Sequence, residues 1–378
     1  MRPGFVPRVA GLYASLFLYI GIGMPFFPVW LSARGVDPAL MGPILAIPMF
    51  ARVLSVPVVA RATDRRDAIR AAILISVWTS VAGHVLLGLS SGTALIAAAY
   101  AVAMLVQTPL LPLTETYALK GLAERGRAYG PVRLWGSFAF VAGNFAGGFL
   151  LDAIPARDLI WPIVAALGLT ALTASLLQPQ SIGKAEARES DAPLWRDRGF
   201  VAVIIGAGLI QASHSIYYIF SALQWRAEGL PGSAIAALWA LGVIAEIVLF
   251  AVSGRLNLAP TTLLMIGAAG AVLRWGAMAF DPPVLALPFL QLLHALSFGT
   301  THLGALTYVT QRAGAGQAAT AQGHLAIAIS AAGGGAAAIS GVLYANFGIG
   351  SYAVMALMAV AGGACGLIAH RRAAVALV

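Results

Sequence analysis

Five ionisable side chains lie inside long apolar runs of this sequence: Arg52, Glu115, Arg133, Glu246 and Arg274. His84, His214, His294, His302 and His324 accompany them. In hydrocarbon each charge would cost at least ~2.5 kcal/mol, so its presence asks for a function. Two carboxylates and three guanidinium groups can largely neutralise one another. Glu115 and Arg133 stand 18 residues apart. On antiparallel neighbouring helices they would meet, either to pair with each other or to grip a polar solute, for which Arg133 offers a planar fork suited to carboxylate or hydroxyl oxygens. Phe140 lies two turns from Arg133 on one helical face, and Tyr217 and Tyr218 follow His214, so an aromatic ring could find partners as well as a carboxylate. Packing is the competing role for these rings.

Arg274 and His294 are 20 residues apart across the turn Asp281-Pro282-Pro283. Glu246 is the acidic side chain left inside the second half to carry a proton: burial and a nearby guanidinium act on a carboxyl in opposite senses, which is how a proton carrier is tuned. A permanently ionised structural pair is the alternative. His294 and His302 are eight residues apart, about 12 Å along a helix, so they are not expected to share a metal ion. His84 and His324 read as packing residues, and no cofactor is expected.

The elements that must hold these groups follow from composition. The chain has 378 residues, 60% of them hydrophobic and 10% charged, and a mean hydropathy of +0.87, far from the balance of a soluble domain. A bilayer crossing takes roughly 20 apolar residues. Such runs recur at 7–31, 38–61, 69–90, 93–118, 128–153, 157–178, 200–225, 233–256, 260–280, 283–311, 317–345 and 348–370. An all-α membrane protein of twelve transmembrane helices is therefore expected. The first run is too long for a cleavable signal and reads as a first helix. The single Cys365 excludes an intramolecular disulfide.

The formal charge of +9 reports topology rather than nucleic-acid binding. Apart from Arg52, Arg133 and Arg274, seventeen Lys and Arg collect on one face, against only Arg34, Arg157 and Arg226 on the other. By the positive-inside rule both termini are cytoplasmic and the helix count is even. Trp30 and Trp225, near outward helix ends, are read as interface anchors.

Gln180 to Arg198 is the long polar stretch at mid-chain. It divides the sequence into 1–179, a linker at 180–198, and 199–378, each flank an expected six-helix bundle. An offset of 194 relates the halves: Gly35 falls on Gly229, Ala51-Arg52 on Ala245-Glu246, and Arg61 on Arg255. The loop Ala60-Arg61-Ala62-Thr63-Asp64-Arg65-Arg66-Asp67 partly resembles the Gly-x-x-x-Asp-Arg/Lys-x-Gly-Arg signature of the major facilitator superfamily, with Ala60 and Asp67 in place of its glycines.

The spacings of Glu115, Arg133, Arg274 and His294 resemble those of lactose permease-type symporters. That resemblance implies solute binding by the first two and proton coupling by the last two. It departs at Ser297, where those symporters carry an acid, and at Glu246, about a turn from the expected carboxylate of helix eight. The segments Leu209 to Phe250, Tyr129 to Ser137, Arg274-Trp275-Gly276 and Leu293 to Phe298 resemble the bacterial phenylpropionate permease family. The resemblance implies proton-linked uptake of a 3-phenylpropionate-like aromatic acid by alternating access of two pseudo-symmetric bundles, in a monomer of the bacterial inner membrane.

On this reading Glu115, Arg133, Phe140, His214 and Tyr218 would contact the solute, and Glu246, Arg274 and His294 would handle the proton. The partners are then a small molecule, protons and lipid. Sugar or nucleoside symport, proton-driven drug export and a non-transporting sensor are the rivals. No nucleotide-binding loop, paired cysteines or supported Ser/His/Asp order is present, so neither ATP-driven transport by this chain nor an enzyme is expected.

Overall fold

A computed structural model describes residues 4–180, 194–255, 258–313 and 317–375. Most of the polar linker expected at 180–198 lies outside the described residues. Among these residues, eleven helical stretches are long and apolar enough to cross a bilayer. The last, Thr320–Arg372, runs for 53 residues, more than twice what one crossing needs, and it holds two helices. The result is α1 (Phe5–Ala33), α2 (Pro38–Arg66), α3 (Ile69–Leu89), α4 (Thr93–Ala123), α5 (Tyr129–Ala153), α6 (Ala156–Ser175), α7 (Arg198–Ala227), α8 (Gly232–Val252), α9 (Pro260–Met278), α10 (Val284–Arg312), α11 (Ala318–Phe347) and α12 (Tyr352–Val375). No strand occurs among the described residues.

Three helices are interrupted, each for a local reason. In α4 the helix breaks at Thr108 and Pro109, because Pro109 and Pro112 cannot donate to the carbonyls four residues back. In α7 the break falls at Ser213 and His214. There Ser213 Oγ and His214 Nδ1 both turn onto the Ile210 carbonyl, and Ser215 Oγ onto that of Ala212, so side chains take acceptors the helix would use. In α10, Ala295–Thr300 winds as a π-helix, with the Thr300 and Thr301 hydroxyls bonded to the Leu296 and Ser297 carbonyls. A π-turn inside an α-helix often marks a functional site.

The repeat survives in detail. Gly35 (φ +77) and Gly229 (φ +89) both adopt the left-handed conformation that only glycine enters without strain. Each closes its helix alike: Val36 N–H donates to the Leu31 carbonyl at 3.1 Å, and Leu230 N–H to that of Trp225 at 2.9 Å. Helix pairing repeats too: α1 packs on α5 and α6 while α7 packs on α11 and α12, and α3 packs on α4 and α6 while α9 packs on α10 and α12. Asp67, which stands where the superfamily signature has its second glycine, also has positive φ (+47). The turn therefore keeps the conformation that glycine serves, at the strain a non-glycine residue carries.

Two compact units emerge. One comprises 1–37, 50–186 and 222–237, the other 38–49, 187–221 and 238–378. In the first, small residues bring α1 and α5 together: a Cβ on Gly143 would meet the Leu18 carbonyl oxygen at 2.6 Å, and one on Gly21 would strike that of Phe140. Gly148 of α5 and Gly232 of α8 cross so closely that a Cβ on either would collide with the other's carbonyl oxygen. Beside that crossing Asp152 accepts the Gly232 and Ser233 N–H groups at 2.8 and 3.1 Å and pairs with Arg226 at 3.0 Å. A carboxylate there satisfies the first free donors of α8.

Trp30 and Trp225 are not interface anchors. Both are fully buried, at 0% exposure, and Trp30 Nε1 donates to the Arg157 carbonyl at 2.9 Å. Position near a helix end suggests a headgroup contact; packing against the returning chain decides otherwise. His84 is the packing residue expected, with Nδ1 on the Ser80 carbonyl (2.8 Å) and Nε2 taking the Tyr19 hydroxyl (3.0 Å).

Candidate functional site

The intramembrane charges form two clusters, one in each unit. In the first unit, Arg133 of α5 lays its guanidinium over the Phe17 ring of α1 at 4.0 Å, with Tyr13 at 5.5 Å. Gly136 leaves the room: a Cβ there would come within 2.9 Å of Arg133 Nη1 and 3.0 Å of Phe17 Cδ2. The Tyr13 hydroxyl donates to that of Tyr129 at 3.3 Å. Glu115 of α4 is half-buried and within electrostatic reach of Arg133 and Arg52, but among the described residues it makes no ion pair with either. The direct Glu115–Arg133 pair, one of the two arrangements the spacing allowed, is thus not formed. Arg133 keeps hydrogen-bonding capacity beside two aromatic faces. Phe140 is half-buried on α5, and the rings that meet Arg133 are those of α1 instead.

In the second unit Arg274 of α9 is completely buried. Its Nη2 donates to Gln291 Oε1 at 2.6 Å and its Nη1 to His294 Nδ1 at 3.0 Å, and its guanidinium carbon lies 4.5 Å from the ring centres of both Tyr217 and Trp275. A guanidinium only donates, so His294 Nδ1 is the acceptor and the ring hydrogen resides on Nε2. That nitrogen faces Glu246 Oε2 at 3.5 Å. The three residues form one directed chain from guanidinium through imidazole to carboxylate, with His294 between the two charges.

His214 is fixed the same way. Its Nδ1 faces the Ile210 and Gln211 carbonyls at 3.1 and 3.2 Å. Carbonyls only accept, so Nδ1 carries the hydrogen and Nε2 accepts the Ser297 hydroxyl at 3.1 Å. Its ring is surrounded by Tyr218 (5.7 Å), Trp275 (4.9 Å), His294 (5.6 Å) and Phe298 (6.0 Å). Trp239 stacks on Tyr217 at 4.7 Å and flanks Tyr218 at 5.8 Å. An aromatic wall thus adjoins a row of neutral donors and acceptors and the Arg274–His294–Glu246 chain.

Comparison with known proteins places the chain. Residues 7–353 match the family described as MFS_1 like. The chain belongs to that family. It is 32% identical over 374 residues to a protein of Escherichia coli (strain K12) described as "Probable 3-phenylpropionic acid transporter", covering 92% of this chain and 93% of that one. It is 26% identical over 310 residues to the maltose permease of Geobacillus stearothermophilus, covering 80% and 78% of the two chains. The solved structure of the nucleoside transporter NupG superposes with a TM-score of 0.82 at 14% identity, over 98% of this chain and 99% of that one. The fold is that of major facilitator transporters, and the chain is a multi-pass membrane transporter, not an enzyme.

As an MFS_1-like chain it brings together residues that its sequence presented separately. Glu246, Arg274, His294, His214 and Tyr218 form one cluster, and Glu115 and Arg133 sit in another. Sequence reasoning missed Gln291, Phe17 and Tyr13. Gln291 lies three residues before His294, and Tyr13 and Phe17 are spaced i, i+4 on α1. Those were the signals, and without a partner helix they read as ordinary packing.

Proposed function

We propose that this transporter is a proton-coupled symporter that takes up a small aromatic carboxylate of the 3-phenylpropionate kind by alternating access. It would do so as a monomer in a bacterial inner membrane, with both termini cytoplasmic and its halves, 1–179 and 199–378, joined by 180–198. The observation that carries this is the Arg274–His294–Glu246 chain. Arg274 occupies His294 Nδ1, so a proton cannot add to that ring without breaking the bond, whereas the Glu246 carboxylate at the other end of the chain can take one. Protonating Glu246 leaves the buried Arg274 charge without its counterion, an arrangement costly at low dielectric. An anionic solute restores the balance. Proton and carboxylate would therefore travel together.

Arg133 supplies the matching group in the first unit: a guanidinium fork held on an aromatic face, suited to a carboxylate whose ring stacks nearby. The relative described as a 3-phenylpropionic acid transporter supports this solute class. A sugar is the second reading, favoured by the maltose permease relative and by the neutral row His214, Ser297 and Gln291.

The test is uptake into proteoliposomes. Wild type should accumulate 3-phenylpropionate when the lumen is alkaline. Glu246→Gln keeps a hydrogen-bond acceptor for His294 but carries no proton, so it should lose uphill uptake and retain solute exchange. Undiminished gradient-driven accumulation by that variant refutes the role.

A further inference from the structure

The described geometry holds a second histidine near Glu246 that the coupling chain leaves unused. His302 lies on α10 beyond the π-turn, its ring parallel to Phe298 (6.2 Å, 10°), and Phe298 in turn stacks on His294 (5.1 Å, 18°). The three rings form one column on a single helix face. Glu246 sits alongside its middle: a Cβ on Gly299 would lie 3.5 Å from Glu246 Cγ, and Gly299 is five residues past His294 and three before His302. Glu246 is also the charge within electrostatic reach of His302.

Exposure rises along this column. The His294 side chain is 9% exposed and that of Glu246 18%, while His302 is open and touched on its flank by Phe250 (6.3 Å). His302 also lies toward the ends of α10 and α8 that carry Arg312 and Arg255, roughly 15 Å short of the former at helical rise, the side that the basic loops mark as cytoplasmic. Other charges on the neighbouring elements are committed: Arg274 of α9 to His294 and Gln291, and Arg312 at the end of α10 to Asp197, the cap residue of α7, at 3.7 Å.

We propose that His302 is the residue through which Glu246 releases its proton to the cytoplasm; this rests on the symport reading above. The Glu246 O–H bond breaks and an N–H bond forms on the neutral His302 ring through intervening solvent, giving carboxylate and imidazolium. The imidazolium then passes a proton to cytoplasmic water and returns to neutral, so no electrons move and charge is conserved. An imidazole can both accept and release a proton, and the His302 side chain is more exposed than that of His294.

The experiment uses the full-length protein in proteoliposomes, with 3-phenylpropionate and maltose as probes, measuring both gradient-driven accumulation and solute counterflow. His302→Asn, whose thermal melt should match wild type because the residue is exposed, is expected to slow driven uptake about 100-fold or more, the scale of a lost proton-transfer group. Counterflow should stay intact, the dependence on lumenal pH should flatten, and imidazole trapped in the lumen should restore the rate. Driven uptake by His302→Asn equal to wild type, or counterflow lost in parallel with it, overturns the role of His302 while leaving symport standing. Absence of gradient-driven accumulation of both probes in wild type overturns symport and this proposal together.

Discussion

Arg133 offers the most direct measurement of what the first cluster recognises. Its guanidinium is held 4.0 Å above Phe17 and faces no carboxylate within ion-pair distance among the described residues. A solute carboxylate would take one or two charge-assisted hydrogen bonds from the fork. With each worth about 1.5–3 kcal/mol, and half-burial of the site favouring the lower end, Arg133→Ala should cost about 2–3 kcal/mol, or about 30- to 150-fold in affinity. The loss should be specific to charge. Titration of 3-phenylpropionate and of its neutral amide against wild type and Arg133→Ala closes a thermodynamic cycle: the acid should lose the full factor and the amide only a few-fold. Phe17→Leu, which removes the ring beneath the guanidinium, should weaken the acid by about 0.5–2 kcal/mol through the lost cation–π contact. Equal losses for acid and amide would refute carboxylate recognition at Arg133, as would unchanged affinity for the acid.

Gln291→Leu leaves the buried Arg274 one acceptor short and should lower stability by about 1.5–3 kcal/mol, seen as a lower melting temperature in detergent. Asp152→Ala strips the first N–H groups of α8 and Arg226 of their partner; about 1–2 kcal/mol should be lost, with Asp152→Asn recovering part of it in the same melt. Trp30→Phe deletes one buried N–H···O bond to the Arg157 carbonyl and should cost about 1 kcal/mol. Gly148→Leu forces a side chain against the Gly232 carbonyl and should reduce folded yield in size-exclusion profiles, whereas Gly168→Leu, at a position with open space, should not.

What the sequence disclosed follows from the physics of each feature. Helix spans were legible because apolar length is local, and the offset of 194 reached even the backbone of Gly35 and Gly229. Glu246, Arg274 and His294 were legible because charge in an apolar run is conspicuous. Their order in space was not: that His294 intervenes depends on α8, α9 and α10 packing together and on the π-turn, whose hydroxyl-to-carbonyl bonds leave no signal in hydrophobic periodicity. Gln291 and Phe17 stayed hidden because a neutral amide and a ring have ordinary structural roles. Trp30 and Trp225 misled for the opposite reason, since their position along the chain says nothing about what later segments cover.

The crossing of Gly148 over Gly232 has a mechanical consequence. Helices usually mesh through interlocking side chains, which act like gear teeth and resist sliding. Here backbone crosses backbone with only the short Ala236 side chain and the Leu151 Cβ beside it, so fewer interlocking side chains oppose a small roll of α8 on α5. Asp152, gripping the first turn of α8 beside that crossing, then acts as a tether: it sets how far the roll can go while the bearing itself offers little friction.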